Sequence, residues 1–269
     1  MFSDSEVLDG AAERIDRIRR SGLVVAVTGP DGTPLPGRDL RVKQLRSSFL
    51  FGCNIFALKP GDDSPAQREY QERFCALLNF ATLPFYWGQY EREPGRQGEG
   101  RLRAMAEWCA SRSIRTKGHP LVWHEVYPAW ADSQSRPARQ LLEDRVREIA
   151  AGFAGLVDVW DVINESTVSD RFDNGVGRWA REVGMTKIAA ECMRWARSAA
   201  PDATLVLNDY NVCPDYERQI EEVLATDGRF DVIGIQSHMH AGEWPLERAW
   251  EVCETYGRFG LPLHATEMS

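Results

Sequence analysis

Two glutamates stand at the ends of apolar, strand-like segments, where side chains could take part in chemistry. The segment LVDVWDVINE (156–165) ends on Asn164 and Glu165, and PLHATE (262–267) ends on Glu267. Alone, Glu165 is explained as well by a helix cap or a solvated strand end as by a catalytic role, and Glu267 alone is a weaker signal still. Together they are the pair that glycoside hydrolysis needs. One protonated carboxyl group donates to the leaving oxygen, and the other attacks the anomeric carbon or activates water.

The segment GHPLVWHEVYPAW (118–130) carries the strongest candidates for a sugar-binding wall. Aromatic faces stack on the C–H surfaces of sugars, and imidazoles hydrogen-bond to hydroxyl groups. One tryptophan here is explained by core packing, whereas five such residues together favour a binding site. They are His119, Trp123, His124, Tyr127 and Trp130.

A third segment, GIQSHMH, ends another strand-like run with Gln236, His238 and His240. A histidine beside a carboxylate nucleophile would orient it. The histidines also allow a different hypothesis, a metal-dependent hydrolase whose ligands would be His119, His124, His238 and His240. No HExxH motif or compact carboxylate cluster accompanies them, so we predict neither a metal nor another cofactor.

These residues need a scaffold that brings strand ends together. Strand-like runs alternate with amphipathic, helix-like segments from residue 49 onward, which predicts a parallel sheet. Seven such strands favour a TIM (β/α)₈-type barrel, in which the carboxyl ends of the strands carry the active site. The strands are expected at 49–56, 77–85, 114–123, 156–165, 204–210, 231–238 and 262–267, and the helices near 65–77, 100–112, 137–153, 186–199, 215–226 and 245–258.

The first 48 residues follow a different pattern. Residues 5–20 predict an amphipathic helix, and 23–28 and 40–45 predict two strands around the turn-rich GPDGTPLPG. We therefore expect a helix and β-hairpin appendage over 1–48, followed by the barrel over 49–269.

Composition restricts the partners. The net charge of −8, from 32 basic and 40 acidic residues, argues against nucleic acid and is compatible with a neutral polysaccharide or oligosaccharide. No apolar run is long enough to span a bilayer, so we expect no membrane association. The acidic N-terminus does not read as a signal peptide, which favours a cytoplasmic location unless a signal has been removed. The six cysteines form no CxxC pair and are expected to be free thiols.

Five motifs resemble, in order and spacing, those of glycoside hydrolase family 10, the endo-β-1,4-xylanases. They are GHPLVWH, WDVINE, LNDYN, DVIGIQSHMH and LHATE. The resemblance covers roughly residues 49–269 and implies a (β/α)₈ barrel, retaining chemistry and no cofactor. It implies that Glu165 is the acid/base and Glu267 the nucleophile.

The same resemblance assigns the neighbouring residues. Asn164 would hold the 2-hydroxyl of the sugar, and His238 would hydrogen-bond to the nucleophile. The subsite of the cleaved sugar would be lined by His119, Trp123 and Gln236. Two further residues, Asn208 and Asp209, would contact the site residues rather than the sugar.

The chain departs from the family pattern in two places. The family's second strand carries a polar TPENEMKW segment, where this chain has NFATLPFYWGQYEREP. We expect hydrogen bonds to sugars there to be replaced by stacking on Phe85, Tyr86 or Trp87. The chain also stops at Ser269, before an eighth strand, so we expect about seven βα units and a fragment of a longer protein.

The sequence thus predicts a retaining glycoside hydrolase that cleaves β-1,4-linked xylan, a related plant cell-wall polysaccharide, or its oligosaccharides. The alternative is a truncated barrel that binds carbohydrate without turnover. Retaining chemistry predicts that the two carboxyl groups lie about 5–5.5 Å apart.

Overall fold

The fold is described from a computed structural model, which describes residues 4–45, 47–240 and 242–269. The chain divides into two compact units. The first comprises 1–49 together with 244–251, and the second comprises 50–243 together with 252–269. The second unit contains the strands of a parallel sheet and all the predicted site residues.

Nine strands are present in the described part of the chain. They are β1 (Gly52–Asn54), β2 (Phe80–Pro84), β3 (Glu91–Glu93), β4 (Arg96–Gln97), β5 (Arg115–His119), β6 (Val159–Asn164), β7 (Thr204–Asp209), β8 (Val232–Ile235) and β9 (Leu263–Ala265).

Eleven α-helices and one 3₁₀ helix accompany them over the same residues. They are α1 (Asp4–Asp9), α2 (Ala11–Arg19), α3 (Pro65–Leu77), α4 (Trp87–Tyr90), α5 (Glu99–Ala110), α6 (Ala129–Asp132), α7 (Ala138–Gly152), the 3₁₀ helix η1 (Ser166–Arg171), α8 (Gly175–Val183), α9 (Met185–Ala199), α10 (Pro214–Leu224) and α11 (Leu246–Gly257). None of the described helices is both long and apolar enough to cross a membrane.

Seven strands form one parallel sheet in the order β1-β2-β5-β6-β7-β8-β9. Each strand pairs with the next one along this order, as in a β/α barrel, and all seven fall within the predicted strand segments. Parallel pairing puts the carboxyl ends of all the strands at one edge of the sheet. The prediction that this edge collects the polar strand-end residues is therefore confirmed.

The sheet is held by an interior of large side chains. Trp160 of β6 is fully buried, and its ring lies 4.8 Å from that of Phe85. Gly118 on the neighbouring strand β5 leaves the space that this indole fills, because a side chain at 118 would collide with it. Asp161, next to Trp160, is also fully buried, so β6 carries a charged group into the sheet.

The prediction that the first unit contains a β-hairpin is wrong about the length of the paired strands. Residues 23–28 and 40–45 form no ladder, and a single antiparallel bridge joins Thr28 to Pro34. Val24 is 95 % exposed, so these apolar side chains find no buried face to stabilise strand pairing. The predicted helix over 5–20 is interrupted at Gly10, between α1 and α2.

Two connections contain elements that the sequence patterns did not reveal. A small antiparallel ribbon, β3–β4, follows β2 and α4. The connection after β6 contains η1 and α8, and Asn174 caps α8 by accepting a hydrogen bond from the Gly177 N–H. Short elements of two to nine residues are too brief to set a clear hydrophobic period.

Candidate active site

Glu165 follows β6 directly and has a left-handed backbone conformation, with φ 54° and ψ 44°. This conformation is uncommon for a residue other than glycine and marks functional sites. The Glu165 N–H donates to the Asn208 carbonyl oxygen at 2.8 Å, so β7 fixes the turn. Glu165 Oε1 accepts from Asn164 Nδ2 at 3.2 Å and from Gln236 Nε2 at 3.1 Å.

The surroundings of Glu165 favour the neutral form of its carboxyl group. The residue is 8 % exposed, and burial raises its pKa, an effect that the hydrogen bond from Gln236 opposes. The negative charge of Glu125 raises the pKa further. A carboxyl group that holds its proton more firmly than an ordinary glutamate is better suited to act as a general acid.

Glu267 lies two residues beyond β9. Its N–H donates to the Gln236 carbonyl oxygen at 3.1 Å, which ties this segment to the end of β8. Oε1 of Glu267 accepts from Asn208 Nδ2 at 2.7 Å, and its Oε2 lies 3.5 Å from His238 Nε2. The Glu267 side chain is 24 % exposed, so its carboxylate remains accessible to a substrate.

Buried amide groups connect the two glutamates. Asn208 Nδ2 donates to both Glu267 and the Oδ1 of Asn164, the latter at 2.7 Å. Gln236 Nε2 donates to Asn164 Oδ1 at 3.2 Å and also to Glu165. Asn164, Asn208 and Gln236 are each no more than 1 % exposed. This amide network joins the ends of β6, β7 and β8 and holds both carboxyl groups in register.

A buried ion pair lies next to Glu267 and His119. Lys117 Nζ and His119 Nδ1 each lie 2.7 Å from Asp161 Oδ2, and the same His119 nitrogen is 3.9 Å from Glu267 Oε1. Burial would raise the pKa of Asp161, but the charge of Lys117 and the hydrogen bond from His119 lower it below its ordinary value. Asp161 and Lys117 therefore fix the ring of His119.

Asp209 lies on the Glu165 side of the site. Its carboxyl oxygens accept from the Thr167 N–H at 3.0 Å, the Thr167 hydroxyl at 3.1 Å and the Asn211 N–H at 2.9 Å. Burial raises the pKa of Asp209 to about 6 despite these donors. Because Thr167 belongs to η1, Asp209 anchors the helix that begins immediately after Glu165.

Three aromatic or imidazole rings form a wall at the ends of β2 and β5. The Tyr86 ring is 5.4 Å from the His119 ring in an edge-to-face arrangement and 5.7 Å from the Trp123 ring. Tyr86 and Trp123 are partly exposed. Burial raises the pKa of the Tyr86 hydroxyl to about 12, and the charge of Glu267 contributes. The phenol therefore keeps its proton, and can donate a hydrogen bond, at any pH well below this value.

The other two candidates for stacking on the second strand are buried. Phe85 is fully buried and packs edge-to-face on Phe153 at 4.9 Å, so the expectation that it stacks on a sugar is wrong. Trp87 is 6 % exposed, and its indole N–H donates to Glu91 Oε2 at 3.0 Å. Its predicted substrate-binding role stays a prediction, with little of the ring accessible.

The structure brings most of the sequence-predicted site residues to one edge of the sheet. The group linked there by the contacts above consists of Glu165, Glu267, Asn164, Gln236, His238, His119, Trp123 and Tyr86. His240 is exposed, and its ring stacks on that of His238 at 4.6 Å. The individual roles assigned to these residues remain predictions.

Three charged residues of the site were missed from the sequence. Lys117 and Asp161 could have been suspected, because each is a charge inside a buried strand segment. Arg145 of α7 carried no such signal. It is 5 % exposed, its Nε donates to the Leu121 carbonyl oxygen at 2.9 Å, and its Nη2 donates to that of Phe85. Arg145 thereby supplies hydrogen-bond donors to two buried carbonyl oxygens just after β2 and β5.

Two groups of side chains in the described residues place possible metal-ligand atoms within 4.8 Å of one another. The first consists of His119, Asp161 and Glu267, in which Lys117 already supplies positive charge. The second consists of His124, Glu125 and Glu165. The four histidines of the alternative metal-dependent hypothesis are not assembled into one site, since His119 and His124 fall into separate groups without His238 or His240.

The curated proteins that this chain resembles include several endo-1,4-beta-xylanases. One is endo-1,4-beta-xylanase B of Thermotoga neapolitana, which is 30 % identical over 91 % of this chain and 72 % of its own length. Another is endo-1,4-beta-xylanase 5 of Arabidopsis thaliana, 24 % identical over 99 % of this chain and 48 % of its own length. The chain thus spans less than half of the plant relative.

Solved structures agree with the fold. Xylanase 10B of Thermotoga petrophila, in complex with xylobiose, superposes with a TM-score of 0.68 at 25 % identity, covering 81 % of this chain and 68 % of that one. The family-10 glycoside hydrolase of Paenibacillus barcinonensis gives 0.70 at 24 % identity, covering 82 % and 70 %. The sequence model of Glycosyl hydrolase family 10 matches residues 85–269. With this match, the parallel sheet and the paired strand-end glutamates, the chain belongs to glycosyl hydrolase family 10.

Proposed function

We propose that this chain is a retaining glycoside hydrolase that cleaves β-1,4-linked xylan or xylo-oligosaccharides. The observation that carries the proposal is the pairing of Glu165 and Glu267 through one buried amide network in two different environments. Glu165 is desolvated, whereas Glu267 is more accessible and accepts from Asn208. The substrate class is supported by the xylanase relatives and by the xylobiose complex of the Thermotoga petrophila enzyme.

The first chemical step forms a covalent intermediate. Glu267 attacks the anomeric carbon through a carboxylate oxygen, and the glycosidic C–O bond breaks. Glu165 gives its proton to the departing oxygen, for which its raised pKa prepares it. His238, 3.5 Å from Glu267 Oε2, orients the attacking group.

The second step releases the sugar. Glu165, now ionised, removes a proton from water as the water attacks the anomeric carbon, and the ester bond to Glu267 breaks. The proton returns Glu165 to its starting form. Asn164, which is tied to both glutamates through Asn208 and Gln236, positions the sugar 2-hydroxyl during both steps.

The wall of Tyr86, His119 and Trp123 binds the sugar next to the cleaved bond. A partly exposed tyrosine offers an aromatic face and a hydroxyl donor to the same sugar. The fully buried neighbours of Tyr86, such as Phe85, do not reach the substrate. We therefore assign recognition at the second strand to Tyr86.

The test of the proposed function is hydrolysis of xylo-oligosaccharides followed by ¹H NMR of the newly formed reducing end. Retaining chemistry gives the β-anomer first, before mutarotation. Immediate appearance of the α-anomer would contradict the proposal. Xylo-oligosaccharide binding without hydrolysis would instead favour the carbohydrate-binding alternative. Parallel assays on cellulose-derived oligosaccharides determine whether xylan is the preferred substrate.

A further inference from the structure

Three side chains with possible metal-ligand atoms lie together at the proposed acid/base, namely Glu165 itself, His124 and Glu125. The proposed reaction uses only Glu165. His124 and Glu125 lie in the connection after β5, and Glu165 follows β6. One ligand atom from each lies within 4.8 Å of the others. His124 Nε2 is 4.0 Å from Glu165 Oε2, whereas Glu125 is exposed at the solvent side of the cluster.

His124 is the unusual member of this cluster. Its side chain is fully buried, and both ring nitrogens lack a hydrogen-bond partner among the described residues. Phe172 packs against the ring with centroids 5.0 Å apart, which contributes contact area but no acceptor or donor. A buried imidazole without partners is costly, since its polar atoms have lost water and gained nothing in return. It is also a free nitrogen ligand facing a carboxylate.

The charge balance distinguishes this cluster from the group around His119. There, Lys117 pairs with Asp161 at 2.7 Å and already neutralises a carboxylate. Over the described residues, no Lys or Arg forms an ion pair with Glu125 or Glu165. Arg171, the nearby cation whose charge acts on His124, lies over the Tyr210 ring instead. Two carboxyl groups and an imidazole are thus left facing one another.

We propose that His124, Glu125 and Glu165 form an inhibitory site for a divalent transition-metal cation of the Zn²⁺ class. One imidazole and two carboxylates are a donor set suited to zinc rather than to magnesium or calcium, which prefer oxygen ligands alone. The bound cation occupies the carboxylate of Glu165 and prevents it from donating a proton. A water molecule would complete a tetrahedral coordination.

The geometry is close to what such a cation requires. Zinc bonds of about 2.0–2.1 Å at tetrahedral angles place ligand atoms about 3.4 Å apart. The 4.0 Å between His124 Nε2 and Glu165 Oε2 therefore needs a small contraction. Glu125 is exposed and can adjust its rotamer, so it contributes the mobile ligand. Cation binding itself is independent of the proposed function, whereas the inhibition rests on it.

The test compares Glu125→Gln with the matched control Glu107→Gln, which alters an exposed glutamate on α5. Isothermal titration with ZnCl₂ in a non-chelating buffer measures binding. Visible absorption of bound Co²⁺ reports the coordination geometry, and xylo-oligosaccharide hydrolysis with and without Zn²⁺ measures inhibition. Each variant is compared with its own metal-free activity.

We expect one Zn²⁺ per wild-type chain, a tetrahedral Co²⁺ spectrum, and inhibition that EDTA reverses. Loss of a direct ligand should weaken binding and inhibition on the order of tenfold or more in Glu125→Gln, since even indirect partners are worth that much. Glu107→Gln should match the wild type. Wild-type affinity in Glu125→Gln, equal weakening in both variants, or no Zn²⁺ binding to the wild type would each overturn the proposal. A chain that binds Zn²⁺ as expected but hydrolyses nothing would refute the proposed function and retain the site.

Discussion

Two buried aspartates support the two halves of the active site in opposite ways. Asp161, on the side of Glu267, the proposed nucleophile, is paired with Lys117, and its pKa is lowered despite its burial. Asp209, on the side of Glu165, the proposed acid/base, has no cationic partner among the described residues, and burial raises its pKa to about 6. Both aspartates are 0 % exposed. The difference between the two pKa shifts therefore comes from the neighbouring charges rather than from the degree of burial.

The same contrast extends to the glutamates in front of them. Glu267 is surrounded by hydrogen-bond donors and imidazoles, from Asn208, His119 and His238. Glu165 is surrounded by amides, an unpartnered imidazole and a second carboxyl group. One fold thereby gives two glutamates at the ends of parallel strands two different environments, which the proposed mechanism uses for two different tasks.

The largest expected effect is from replacing the nucleophile. Glu267→Gln keeps the shape of the side chain but removes the attacking oxygen, so no covalent intermediate forms. We expect kcat to fall by about 10⁴-fold or more on every substrate. Steady-state assays on xylo-oligosaccharides and on aryl xylosides with activated leaving groups measure the loss. Residual turnover of the aryl xylosides near the wild-type rate would contradict the division of roles.

Replacing the acid/base should produce a selective loss. In Glu165→Gln, kcat should fall by roughly 10²–10⁴-fold on xylo-oligosaccharides, whose leaving groups need a proton. Cleavage of an aryl xyloside with a good leaving group should lose much less in its first, glycosylation step. Pre-steady-state measurement of the released phenol separates this step from hydrolysis of the intermediate. A uniform loss across leaving groups would show that Glu165 is not the acid.

The next effect is a loss of stability when the buried ion pair near Glu267 is broken. Lys117→Met leaves Asp161 buried without its cation and should lower the free energy of unfolding by about 3–5 kcal/mol. Urea denaturation measures this change. The matched control, Arg73→Met, breaks an exposed pair with Glu69 and should change stability little. Equal effects in the two variants would mean that Lys117 and Asp161 are not a structural pair.

The smallest effect is a pH dependence on the acid/base side. Asp209 binds a proton more readily in the folded chain than in the unfolded chain, with a pKa of about 6 instead of 3.8. Between these values the folded chain holds more protons, so the free energy of unfolding falls as pH rises, by about 3 kcal/mol at most. Asp209→Asn removes this titration. The difference in stability between wild type and variant should therefore change across pH 4–6, and a constant difference would contradict the prediction.

The sequence was sufficient for residues whose position follows from strand order. Glu165, Glu267 and Gln236 each end an apolar segment, and parallel pairing brings such ends to one edge. The order of β1, β2 and β5 to β9 follows from the same alternation of strands and helices. The match of the family model to residues 85–269 agrees with the motifs that carry this pattern.

What the sequence did not reveal depends on tertiary contacts. The left-handed conformation of Glu165 is imposed by the hydrogen bond to Asn208 and by η1, and no local motif encodes it. The burial of Phe85 depends on Trp160 and Phe153, which are distant in sequence. The predicted strands at 23–28 and 40–45 have suitable residues but no buried face on which to form a ladder.

The most direct test of the central claim is to trap the covalent intermediate. The wild-type chain is incubated with a 2-deoxy-2-fluoro-β-xylobioside that carries a good leaving group, and peptide mass spectrometry locates the attached sugar. The fluorine slows both steps, while the leaving group lets the first step proceed, so the intermediate accumulates. We predict one fluoroxylobiosyl group per chain, esterified to Glu267. Attachment to Glu165 or another residue, or turnover without any adduct, would contradict the assignment of Glu267 as nucleophile and Glu165 as acid/base.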